Sequence, residues 1–134
     1  MDPQRRRELW AIAVENMRAA RLAAERRWYN VSAGRSYYAT YIVMWLALGD
    51  PPRRRWQHEG IVQHFVQGQW QHNPQPLSRD VRKALTTLYQ YRLKADYHGR
   101  KVTAKEAREA LATAMTVLTM VASEFALSQR ALKR

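Results

Sequence analysis

The chain has no cysteine, which removes a disulfide framework, a thiolate zinc site and a cysteine nucleophile together. That fits a reducing compartment, and the cytoplasm is the expected location. Acidic residues are scarce: 11 Asp and Glu stand against 23 Lys and Arg, leaving a formal charge of +12 over 134 residues. Long apolar runs are missing as well. Tyr41 to Leu48 is strongly apolar, but eight residues are too few to cross a bilayer. Ala110 to Ser123 is longer, yet Thr113, Thr116 and Thr119 interrupt it and Glu124 ends it. The opening residues Met1 to Arg7 are basic and lead into an amphipathic stretch, not into the apolar core of a signal peptide. No membrane association is expected. Nothing alternates with period two for long enough to suggest a sheet, and no repeat or linker divides the chain. A single domain over residues 1–134 is expected.

What is abundant is arginine, clustered at Arg5-Arg6-Arg7, Arg26-Arg27 and Arg53-Arg54-Arg55. Such an excess favours polyanionic partners: nucleic acid, an anionic membrane surface or an acidic protein. The 46% of hydrophobic residues is ordinary for a globular chain and argues against wholesale disorder.

Helical periodicity dominates. Asp2 and Pro3 suit a helix start. Leu9, Ile12, Ala13, Met17, Ala20 and Ala24 then form one apolar stripe to about Arg27. Ser32 reads as the cap of a second helix, which Gly49-Asp50-Pro51-Pro52 stops after Leu48. That helix is apolar on most of its circumference and belongs at a bundle centre or against a partner. A short helix is expected from Arg55 to Val66, followed by a loop from Gly68 to Pro76. Ser78 begins a fourth helix through Ala95, with Gly99 suited to the left-handed closing position. Thr103-Ala-Lys-Glu106 is a capping box for the last helix, and the tail from Ser128 to Arg134 is expected to fray. The fold class is therefore all-α, an antiparallel bundle of four long helices plus one short helix.

Three segments carry possible chemistry. The first is Arg92-Leu-Lys-Ala-Asp-Tyr-His98. Arg92 and Asp96 are within ion-pair reach on one helical face. Arg92 and His98 lie about 120° apart on a continuous helix, while a break near Gly99 brings them together. A guanidinium can stabilise charge developing on a phosphate, and an imidazole can move a proton at a ribose oxygen. The same residues also fit a solvated ion pair and a helix-terminal histidine. The second segment is Arg53-Arg54-Arg55-Trp56-Gln57-His58, able to hold a phosphate and stack a base, or equally to form a solvated turn with Trp56 covering the bundle end. His64 faces elsewhere. No recognised metal spacing joins His58 and His98, so neither metal nor cofactor is expected. The third is Gly34-Arg35-Ser-Tyr37-Tyr38-Ala39. Arg35 needs solvent or a partner, for which Asp96 is the obvious candidate. Tyr37, Tyr38 and Tyr41 read as core aromatics whose hydroxyls reach the rim.

Taken in order, Arg35-Ser36-Tyr37-Tyr38-Ala39, His58-Glu59-Gly60 and Arg92-Leu93-Lys94-Ala95-Asp96-Tyr97 resemble the HEPN superfamily (higher eukaryotes and prokaryotes nucleotide-binding). The likeness is to its small stand-alone branch and spans residues 8–126. It implies a bundle of four or five helices, commonly a homodimer. Many such relatives are metal-independent endoribonucleases with an Arg-x(4–6)-His motif facing its copy across the dimer cleft. In toxin–antitoxin pairs a small nucleotidyltransferase is often the partner. Carried over, Arg92 with His98 satisfies the motif with five intervening residues and Arg53 with His58 satisfies it with four; the first is preferred by position.

The leading expectation is thus an RNA-binding, toxin-type HEPN endoribonuclease. Arg92 braces the phosphate, and His98 or His58 handles the proton. Asp96, Arg35, Tyr97 and Tyr38 support the site, while Arg53, Arg54, Arg55 and Trp56 gather RNA. The alternative is a non-catalytic adaptor or nucleotide-binding module that docks a nucleotidyltransferase, favoured by the lack of an Arg-Asn-x-x-x-His signature. A DNA-binding protein is a weaker reading, because no recognition helix stands out.

Overall fold

Asp2 caps the first helix by accepting the amide of Arg5 at 2.9 Å, with Pro3 in the first turn. In the computed structural model, which describes residues 1–133, that helix is α1 (Pro3–Glu25). It is followed by α2 (Tyr29–Leu48), α3 (His58–Gln67), α4 (Arg79–Asp96) and α5 (Ala104–Glu124), and a 3₁₀ turn at Arg130–Lys133 closes the described chain. There is no strand among the described residues. The all-α bundle expected from periodicity is the observed fold.

The helix α2 is the centre, packed against α1, α3, α4 and α5. Its surroundings explain its nearly continuous apolarity: Ala33, Tyr37, Ala39, Ile42, Val43, Met44 and Leu46 are all buried. The larger core joins Ala39, Ile42, Val43, Met44 and Leu46 to Leu9, Met17, Phe65, Leu85 and Leu118 from the other helices. A smaller apolar cluster brings Ala33 and Tyr37 of α2 against Leu88 of α4 and Ala107 and Ala110 of α5.

Ser32 does not cap α2. Its buried hydroxyl donates to the Ala20 carbonyl of α1 at 2.8 Å, so it ties two helices together from inside the first turn. The helix starts earlier, after a tight turn in which the Trp28 amide donates to the Ala23 carbonyl at 2.8 Å. The start of α3 is also displaced. The Trp56 indole donates to the Gly49 carbonyl at 2.9 Å, and the Tyr41 hydroxyl donates to the Trp56 carbonyl at 2.5 Å. These bonds hold residues 49–56 as an irregular strap, and the helix begins only at His58. Arg53, Arg54 and Arg55 therefore sit in an exposed loop and not on a helix.

Ser78 and Thr103 cap their helices as the sequence indicates. Glu106 completes the capping box and also accepts from Lys94 of α4 at 2.8 Å. The Lys94 ammonium, with the Thr103 amide, holds its carboxyl below the usual range. The end of α4 closes over Gly99, whose φ of 60° lets the Arg100 amide donate to the Lys94 carbonyl at 3.2 Å. Asn30 of α2 then clamps the connection to α5: its amide donates to the Arg100 carbonyl at 2.8 Å and its oxygen accepts from the Val102 amide at 2.9 Å.

The tail does not fray as expected. The Trp10 indole donates to the Ser128 carbonyl at 3.0 Å, and Leu132 is buried against the core. Ala131 and Leu132 in a polar segment are a weak sequence signal, but here they find a seat on the core beside α1. Arg134 lies outside the described residues.

Candidate functional site: a cleft between α2, α3 and α4

Residues 37, 41 and 45 are spaced by four along α2 and so share one face. Tyr89, Arg92 and Leu93 of α4 oppose them, with Tyr97 at the cap of that helix, while the strap and first turn of α3 supply Arg55, Trp56, Gln57 and His58. Together with Tyr38 they line an open cleft of about 600 Å³.

Arg92 is held on three sides. Its Nε lies 3.6 Å from Asp96 Oδ2, and its Nη2 donates to the Tyr97 hydroxyl at 3.1 Å. Its guanidinium carbon stands 4.6 Å from the ring centre of Tyr37 and 5.2 Å from that of Tyr97, an arrangement in which the aromatic quadrupoles favour the cation. Gly34 makes room for Asp96: a Cβ at position 34 would stand 3.2 Å from Asp96 Oδ2. A smaller adjoining cavity of about 300 Å³ is lined by Val31, Gly34, Arg35, Tyr38, Arg92 and Asp96.

His58 reaches the cleft from the opposite side. Its ring lies flat on Tyr89, with centroids 3.5 Å apart and planes 11° apart. Its Nδ1 is 2.9 Å from the Tyr37 hydroxyl. Burial lowers the His58 pKa from its ordinary value; Arg92 adds to that shift and Glu59 opposes it. Burial also pushes the Tyr37 hydroxyl up to about 12, in spite of Arg92. Tyr41 is raised by burial too, with Arg55 and Arg92 opposing. Near neutrality the pair is a neutral imidazole bonded to a protonated phenol.

The expected Arg92–Asp96 pair is present, and Tyr97 lies in contact with Arg92. Arg55, Trp56 and Tyr38 line the cleft, whereas Arg53 and Arg54 are exposed outside it. Tyr38 is itself 43% exposed, unlike the core aromatic anticipated, and its ring runs nearly parallel to Tyr41 at 6.3 Å. Arg35 differs from expectation in its partner, donating to Asn16 of α1 at 3.1 Å and not to Asp96. Its helix carries it one position past Gly34, where Asp96 approaches.

His98 is not brought into the cleft. It is exposed beyond the α4 cap and lines neither cavity that Arg92 lines. The helix α4 ends at Asp96, and His98 follows the Tyr97 cap outside it. The Gly99 closure and the Asn30 clamp then carry the chain towards α5. The histidine that meets Arg92 is His58, from a different motif.

Two contributors escaped the sequence reading. Tyr37 reads as a core aromatic whose hydroxyl reaches the rim; it is buried, and that hydroxyl faces the site. Tyr89 stands three residues before Arg92, a spacing that places both on one helical face. Among the described residues no three His, Asp or Glu side chains gather into a metal-sized group. No helix of the described residues is long and apolar enough to cross a membrane.

A bundle of helices without strands among the described residues is the fold that the motifs' resemblance implied. The HEPN domain family model matches residues 7–124, and the chain belongs to that family. No curated protein is matched by the chain.

Proposed function

We propose that this HEPN protein binds RNA in the cleft and cleaves it as a metal-independent endoribonuclease of toxin type. The observation that carries the reading is the meeting of Arg92 and His58, from motifs far apart in sequence, on either side of Tyr37. Arg92 supplies a fixed cation for the charge that develops on a phosphate under attack by the ribose 2′-oxygen. His58 exchanges the proton at a ribose oxygen. Arg55, Trp56, Tyr38 and Tyr97 offer a second guanidinium and open aromatic faces to backbone and bases. The +12 charge draws the polyanion in. In this reading a second copy of the chain completes the open cleft, a small nucleotidyltransferase is the antitoxin, and the cytoplasm is the site of action.

The test is incubation of a labelled single-stranded RNA with the protein in EDTA. The wild type and His98→Ala cut, while Arg92→Ala and His58→Ala do not. Retention of RNA without cutting by the wild type overturns the nuclease assignment.

The second reading is a non-catalytic nucleotide-binding or adaptor module that docks a nucleotidyltransferase. The exposure of His98, which leaves the preferred Arg-x(5)-His pair unassembled, favours it. RNA retention that is lost in Arg92→Ala and unchanged in His58→Ala is its expected signature.

A further inference from the structure

We propose that Tyr37 is a positioning residue that fixes the proton of neutral His58 on Nε2, so that His58 meets a ligand in the cleft as a hydrogen-bond donor. The inference about the proton rests on the chain's own geometry; only the ligand, a phosphate oxygen, rests on the reading of the cleft as an RNA site.

The argument begins with what each neighbour can do. The Tyr37 hydroxyl is 2.9 Å from His58 Nδ1, and no other side chain or carbonyl among the described residues offers that hydroxyl an acceptor. Arg92, beside Tyr37, has only donors. A protonated phenol between a guanidinium and an imidazole therefore has one useful acceptor, the lone pair of Nδ1. With Nδ1 accepting, a neutral imidazole must carry its hydrogen on Nε2. The alternative, in which Nδ1–H donates to the phenol oxygen, leaves the phenol hydrogen without an acceptor in a buried place.

The charged and titratable surroundings agree. On α2, Tyr37 and Tyr41 face the site; on α4, Tyr89 and Arg92 do; Arg55 lies on the strap and Glu59 on the histidine's own helix. Burial disfavours a second proton on the ring, Arg92 adds to this, and Glu59 opposes them. The stack on Tyr89 holds the ring plane, so the tautomer fixes which edge donates. The cleft then presents donors from Arg55, Arg92 and His58, a set matched to an anionic oxygen.

The test is a long-range proton–nitrogen NMR spectrum of the full chain with labelled histidine, at pH 7.5 and without RNA. His58 is assigned by the signal lost in His58→Gln. In the wild type, His58 is expected almost wholly as the Nε2–H tautomer. Tyr37→Phe keeps the ring in the core and removes the hydroxyl; a measurable Nδ1–H fraction is then expected. Tyr89→Phe keeps the stack and should leave the tautomer as in the wild type. An Nδ1–H form in the wild type overturns the proposal, as does a spectrum unaltered in Tyr37→Phe. If Tyr37→Phe fails to fold, the wild-type spectrum decides alone. Absence of RNA binding would remove the ligand assignment and leave the tautomer result standing.

Discussion

The imidazole of His58 lies face to face with the ring of Tyr89, centroids 3.5 Å apart and planes 11° from parallel. Tyr89 is thus the wall that keeps His58 partly out of water, and burial is the largest cause of its lowered pKa. Tyr89→Ala opens that wall. The His58 pKa is expected to rise towards the ordinary value near 6.5, read from the pH dependence of its ring signals. An unchanged titration would show that the strap and α2, not the stack, set its environment.

The same shift has a consequence for stability. A histidine whose folded pKa is depressed is neutral in the fold while the unfolded chain takes up a proton below about pH 6.5. Its contribution is complete above that value and is lost as pH falls through it towards the folded pKa. The urea midpoint of the wild type should therefore drop between pH 7.5 and pH 5.5. In His58→Gln the drop should be smaller. Parallel pH profiles for the two proteins would contradict the assignment.

Much of this fold was legible because local chemistry and global packing agreed. The Thr103–Glu106 box, the Ser78 cap and the apolar girth of α2 each have one physical use, and each has it in the structure. Ser32 misled because a small hydroxyl can cap its own helix or bond a neighbouring one, and only the approach of Ala20 decides. The start of α3 was hidden for a similar reason: two tertiary bonds to Trp56 and Gly49 hold the strap outside the helix. At the site, the members on one helix were readable, since Arg92 and Asp96 differ by four. The choice between His58 and His98 was not. Sequence proximity favoured His98, whereas the packing of α3 across α2 brings His58 to Arg92 through Tyr37, a relation no linear spacing encodes.

Asp96 contributes orientation more than stability. Its carboxylate is 46% exposed at 3.6 Å from Arg92, so solvent screens the pair, and Asp96→Asn should alter stability by less than about 1 kcal/mol. On the proposed nuclease reading, a loosened guanidinium should slow RNA cleavage by roughly tenfold to a hundredfold. RNA retention on a filter should be unchanged or stronger, because a negative charge has left the rim. Equal losses of retention and cleavage would instead mark Asp96 as a binding residue.

The tail offers a test of the fold apart from the cleft. Leu132 is 3% exposed, and the neighbouring Ser128 carbonyl accepts from the Trp10 indole. Removing a buried leucine side chain costs about 2–5 kcal/mol where the cavity cannot close. A terminal segment can relax, so Leu132→Ala should fall near the lower limit of that range. Its thermal midpoint should drop by several degrees, with a red shift in tryptophan emission that disappears in a Trp10→Phe background. Lys133→Ala, on an exposed neighbour, should lie within about 0.5 kcal/mol of the wild type. If both variants melt with the wild type, the 3₁₀ turn at Arg130–Lys133 does not cover the core in solution.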